Sequence, residues 1–222
     1  MNSFTTWLEN HITLQKHSNQ QYEKENAISH LVGSIASLVF LTIIIVRKNI
    51  YTSSYTFWGL IIYALANLLL YSSSTLYHHV EIGNLKRVLR LFDHVNIYIL
   101  IAGTYTPLLM SIHSKESLQL TVIVWLVALI GIVLKVIFWG RYRVLHVLFY
   151  LLMGWMIIFF WPIVVPFLEP NLLKFVIAAG ITYSLGVIFY ALKKVKHSHL
   201  VWHIFCLVAS TLFSIGFLIY LR

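Results

Sequence analysis

Apolar runs close to the roughly 20 residues that a helix needs to cross a bilayer recur along the whole chain, and they constrain its fold more than any other feature. They span about 28–46, 56–78, 92–111, 118–139, 144–161, 170–192 and 199–221. Within hydrocarbon every backbone N–H and C=O must find a partner inside the chain, so such runs form helices. Only 10% of the 222 residues are charged, against about 25% in an ordinary soluble domain. The predicted fold is therefore an all-α integral membrane protein, a seven-transmembrane-helix bundle. Residues 1–24 are expected as a short cytoplasmic N-terminal segment and 25–222 as the transmembrane domain, with no linker long enough to separate a second unit. The single cysteine, Cys206, allows no internal disulfide and no CxxC redox or metal pair. The first apolar run follows a mostly polar stretch, which does not read as a signal peptide.

The positive-inside rule orients such a bundle. Lys16, Lys24, Lys86, Arg87, Arg90, Lys135, Arg141, Arg143, Lys193, Lys194 and Lys196 fall on one predicted side, and Arg47, Lys48, Lys115, Lys174 and Arg222 on the other. This places the N-terminus in the cytoplasm and the C-terminus outside. Topology and anionic headgroups then account for the net charge of +9, with no need for a nucleic-acid partner. Phe4, Trp7, Leu8 and Ile12 stand at helical spacing. They fit either an interfacial helix or a mobile tail.

That orientation gathers polar residues into one layer. His199 and His203 open the last run, Ser74 and His78 close the second, Asp93 opens the third, and Glu25, Asn26 and His30 open the first. Ionisable groups at membrane depth are costly and face the bundle interior or a cavity, where they mark function. On a helix, residues i and i+4 share a face. His199 and His203 can therefore bind one metal, while Ser74 and His78 share a face from which His79 points about 100° away. Three imidazoles leave the fourth position of a tetrahedral zinc open for water, which Asp93 could hold or deprotonate. Calcium and magnesium prefer oxygen ligands.

A structural reading stands beside this one. A lone HxxxH also arises as two interfacial histidines, and an acid at a helix N-terminus, here Asp93, is favoured by the helix dipole. Asn26 and His30 can simply bond neighbouring helices, and His94, His113 and His146 read as interfacial or structural. The shared layer tips the balance toward metal.

The residues also carry a resemblance. Glu25-Asn26-Ala27-Ile28-Ser29-His30, Ser74-Thr75-Leu76-Tyr77-His78, Phe92-Asp93-His94 with Ala102-Gly103-Thr104-Tyr105-Thr106-Pro107, and His199-Leu200-Val201-Trp202-His203 occur in that order. Together they resemble the bacterial hemolysin III family, relatives of the adiponectin and progestin receptors (the PAQR group), from about Glu25 to the C-terminus. The resemblance implies seven transmembrane helices in a bacterial plasma membrane and a zinc ion on His78, His199 and His203. It also implies Ser74 and Asp93 near the zinc-bound water. Membrane lipids are the implied partners.

Three functions follow as expectations. The first is a zinc hydrolase of a long-chain, ceramide-like lipid amide, with Asp93 as base and Ser74 orienting the water. The second is a membrane-damaging hemolysin. The third is a non-enzymatic regulator or sensor of membrane lipid state in which zinc is structural. A cavity of acyl-chain size joined to the metal position would favour the first, and a closed site the third.

Overall fold

A computed structural model describes residues 3–14, 19–192 and 196–222. Lys16, Lys193 and Lys194, counted in the charge asymmetry, lie outside the described residues. Among these residues the chain forms nine α-helices and no strand. They are α1 (Ser3–His11), α2 (Gln20–Val46), α3 (Ser54–His79), α4 (Asn84–Met110), α5 (Lys115–Ile137), α6 (Arg143–Gly154), α7 (Trp161–Val164), α8 (Pro170–Ala191) and α9 (Ser198–Tyr220).

Short polar residues start the long helices by accepting hydrogen bonds from otherwise unpaired N–H groups. Asn19 accepts from the Gln21 amide, and Ser53 from that of Tyr55. Ser114 and Ser117 form a reciprocal capping box. Glu169 accepts from the amides of Asn171 and Leu172, with Pro170 at the first helical position.

Among the described residues five helices, α2, α3, α5, α8 and α9, are long and apolar enough to cross a membrane. This corrects the expected bundle of seven, and two segments explain the difference. The run expected over 144–161 contains a helix of only 12 residues, α6. At about 1.5 Å per residue that is roughly 18 Å, well short of the hydrocarbon thickness of about 30 Å. Beyond Gly154 the chain breaks into a 3-10 turn at Met156–Ile158, then α7, then a second turn at Val165–Phe167, with Pro162 and Pro166 interrupting regular bonding. The run expected over 92–111 lies in α4, a 27-residue helix. Lys86, Arg87, Arg90 and Asp93 occupy its first turns and Asn96, Thr104 and Thr106 continue the polar series, so its apolar character is diluted. The cytoplasmic N-terminus and external C-terminus were assigned by alternating sides through seven spans, and that assignment falls with them.

Within the bundle, α3 packs against α2 and α4, α4 against α5, α8 against α9, and α9 against α2. The core runs through Leu60, Tyr63, Ala64, Tyr98, Ala102, Leu109, Val124, Phe213 and Phe217. A β-carbon on Gly59 of α3 would stand 2.8 Å from Cα of Pro107 in α4, so glycine is what lets these two backbones approach. The break after α6 is sealed by Tyr105, whose hydroxyl donates to the Gly154 carbonyl (2.8 Å) and accepts from the Ile157 amide (3.0 Å). The N-terminal apolar spacing forms a helix, α1. Leu8 and Ile12 are buried while Phe4 is exposed, and Arg87 of α4 donates to the Ile12 carbonyl. Residues 20–24, expected in the N-terminal segment, form the first turns of α2.

Candidate metal centre

Two helix ends build the site. α3 stops at His79, which leaves His78 in its last turn. α9 begins at Ser198, after His197 has turned the chain with a positive φ of 56°, and this puts His199 in the first turn and His203 one turn on. His78, His199 and His203 each offer one ring nitrogen, and the three nitrogens lie within 4.8 Å of one another. Nε2 of His78 is 3.2 Å from Nε2 of His199. His78 and His203 are buried and His199 is half-buried. The cluster could hold a metal ion, as the spacing argument anticipated.

α2 supplies its outer partners. Nδ1 of His78 lies 3.2 Å from Oε2 of Glu23, and the same oxygen accepts from the Lys86 ammonium of α4 at 2.9 Å. Lys86 also donates to the Val80 carbonyl at 3.0 Å. Nδ1 of His203 is 2.9 Å from Oγ of Ser29, which donates its own proton to the Asn26 carbonyl at 2.7 Å. His30 lies flat against the His203 ring, with centroids 3.5 Å apart and planes 14° from parallel. Both of its ring nitrogens are buried without a hydrogen-bond partner, and neither joins the close set of three.

The other anticipated residues divide. Ser74 is fully buried one turn before His78. Its hydroxyl lies near the Asp93 carboxyl but makes no hydrogen bond of normal geometry. Burial pushes the Asp93 carboxyl above the ordinary carboxylate range, against the pull of nearby His78. Asn26 is buried and takes part through its carbonyl. Glu25 does not reach the three histidines. Its Oε2 sits 2.8 Å from Nδ1 of His197 and its Oε1 accepts from Gln21. His94 is elsewhere: its Nδ1 donates to the Arg90 carbonyl at 2.9 Å and its ring meets Trp139 edge to face.

Glu23, Ser29 and Lys86 escaped the reading of the sequence. A signal for Glu23 was present, because seven residues are close to two helical turns. Glu23 thus shares a face with His30, whereas Glu25 lies about 140° away.

These findings correct the expectation of a lipid amide hydrolase. Two clefts among the described residues lie elsewhere. One, of about 450 Å³, is lined by Thr121, Val122, Trp125, Leu126 and Leu129. The other, of about 280 Å³, lies among α2, α3 and α9 around Phe40, Asn67, Tyr71 and Ser210. Neither is lined by Ser74, His78, Asp93, His199 or His203. Neither is therefore the cavity joined to the metal position that would have favoured an enzyme.

Fold and site define an all-helical, multi-pass membrane protein with a histidine cluster where two helix ends meet. The chain belongs to the hemolysin III family: the "Haemolysin-III related" profile matches residues 18–214. It is 39% identical over 189 residues to the "Hemolysin-3 homolog" of Bacillus subtilis (strain 168), covering 85% of this chain and 89% of that one. It is 34% identical over 208 residues to "Hemolysin-3" of Bacillus cereus, covering 90% and 93%. A more distant relative is the human "Monocyte to macrophage differentiation factor", 27% identical over 159 residues, or 67% of this chain and 64% of that one. This lineage is consistent with the bacterial plasma membrane. None of these names describes a hydrolase.

Proposed function

We propose that the protein is a non-enzymatic regulator or sensor of membrane lipid state, in which a zinc ion on His78, His199 and His203 serves structure. The observation that carries this reading is the double role of α2. One face of it exposes Ile28, Leu31, Val32 and Ile35 as lipid would see them. The opposite face gives Glu23, Ser29 and His30 to the histidine cluster. A change in lipid packing against α2 therefore bears directly on the groups that surround the metal ligands.

The donor set suits zinc. Two nitrogens at about 2.0–2.1 Å from one tetrahedral ion stand about 3.3 Å apart, and the Nε2 atoms of His78 and His199 are separated by 3.2 Å. All three donors are imidazoles, which disfavours calcium and magnesium. Bound there, zinc would supply a cross-link between the end of α3 and the start of α9. Asp93 and Ser74 belong to this polar layer as supports. A dication on three neutral imidazoles keeps its charge, and the carboxylates of Glu23 and Asp93 offset it in a low-dielectric setting.

Membrane damage is the second reading, favoured by the name "Hemolysin-3" that the Bacillus cereus relative carries. Purified protein in vesicles of graded acyl-chain length and unsaturation separates the two. With a fluorophore on exposed Leu31, the sensor reading expects a signal that tracks lipid composition while trapped dye stays inside. Dye release at low protein-to-lipid ratio would favour damage instead. A signal indifferent to composition would defeat the sensor reading.

A further inference from the structure

The hydrogen bonds around the cluster decide more than its position. A neutral imidazole has one N–H donor and one lone pair, and a partner bound to one nitrogen sets the character of the other. Glu23 can only accept. Its contact with Nδ1 of His78, at 3.2 Å, therefore requires that Nδ1 carry the proton. Lys86, buried and bonded to the same Glu23 oxygen at 2.9 Å, keeps that carboxylate in place from α4. On His203 the logic is the same. Ser29 spends its proton on the Asn26 carbonyl at 2.7 Å, so toward Nδ1 of His203, at 2.9 Å, it is an acceptor. Both rings are thereby left with an unprotonated Nε2. For His78 that nitrogen is the one facing Nε2 of His199.

We infer that α2 sets the tautomers of the cluster: Glu23 and Ser29 are positioning residues that hold His78 and His203 with Nδ1 protonated and Nε2 free for the shared centre. Lys86 completes the device by anchoring Glu23. Partners of this kind orient ligand imidazoles and raise their basicity, and their loss typically weakens metal binding by about 10–100-fold. The inference rests on the reading of the three histidines as zinc ligands, yet half of it can be tested without metal. It also gives α2 a specific means of acting, because a shift of this helix withdraws two acceptors from two ligands at once.

The test uses full-length protein in detergent or nanodiscs, with 15N-labelled histidine and with zinc affinity measured by competition against a chelator. In the zinc-free wild type, nitrogen chemical shifts should report the Nδ1–H tautomer for His78 and His203. Glu23→Leu combined with Lys86→Met removes both buried charges together, so that neither is stranded. This variant should mix the His78 tautomers and weaken zinc binding 10–100-fold. Ser29→Ala should do the same to His203 alone. Glu23→Gln keeps an acceptor for Nδ1 and should recover most of the affinity, which a general loss of packing would not do. Glu81→Gln, at an exposed position beyond α3, should match the wild type.

Nε2–H tautomers in the wild type would overturn the inference, as would undiminished zinc affinity in the Glu23→Leu, Lys86→Met variant. Wild-type protein with the expected tautomers and no zinc binding would instead refute the metal reading and leave the tautomer assignment standing.

Discussion

Nε2 of His199, in the first turn of α9, stands 3.2 Å from Nε2 of His78, in the last turn of α3. The Nδ1 of His78 is committed to Glu23, so its Nε2 presents a lone pair to His199. In the metal-free site Nε2–H of His199 can donate to that lone pair, and the 3.2 Å separation is also the one that two ligands of a single tetrahedral zinc require. One zinc per chain is therefore the expected content of protein purified without chelator. His199→Ala and His203→Ala should each lose most of it, as read by elemental mass spectrometry on the folded fraction. Full zinc in His203→Ala would remove that residue from the ligand set.

His30 offers a sharper check of which imidazoles bind. It stacks on His203 at 3.5 Å with both nitrogens unpartnered. An aromatic ring without polar atoms preserves the stack and relieves two unmet hydrogen bonds, an exchange that is often close to neutral. His30→Phe should keep its zinc and unfold within about 1 kcal/mol of the wild type. Loss of zinc would show that His30 is a ligand and that the site has four imidazoles.

The legibility of this chain in its sequence was uneven, for physical reasons. The i, i+4 spacing of His199 and His203 is a property of one helix, so it could be read directly. The meeting with His78 followed from helix ends placed at one depth. Glu23 was passed over for Glu25 because nearness in sequence outweighed helical phase. The count of spans failed where hydropathy alone was followed. Residues 144–161 are apolar enough, but α6 ends at Gly154 and the chain passes into a 3-10 turn at Met156–Ile158, so no single helix long enough to cross covers the run. In α4 the charges of Lys86, Arg87, Arg90 and Asp93 share one helix with the later apolar turns, which the sequence pattern alone had cut at residue 92.

The break after α6 yields a prediction about stability. Tyr105 satisfies two backbone groups there, the Gly154 carbonyl and the Ile157 amide. Tyr105→Phe keeps the ring and removes both bonds, leaving the buried Ile157 amide without this partner. A buried amide left unpaired costs about 1–3 kcal/mol. The variant should unfold measurably earlier in a denaturant series in detergent while its zinc content stays that of the wild type. An unchanged midpoint would mean that the backbone of residues 154–157 finds other partners.

Zinc removal should act at the other end of the bundle, and its dependence on pH follows from what the ligands must be. Only neutral imidazole binds metal, so protons and zinc compete for the same nitrogens. The ordinary imidazole titrates near pH 6.5, and bound zinc holds the rings deprotonated to lower pH. The stability that zinc confers is therefore present at neutral pH and lost as the pH falls. At a free concentration about 100 times the dissociation constant it amounts to about 2.7 kcal/mol. Melting temperatures with zinc and with chelator should differ at pH 7.5 and converge on acidification. Hydrogen exchange should rise on chelation in residues 74–80 and 198–204, where α3 and α9 meet, and stay unchanged around Tyr105. A gap in melting temperature that widens as the pH falls would show that zinc is held by something other than these histidines.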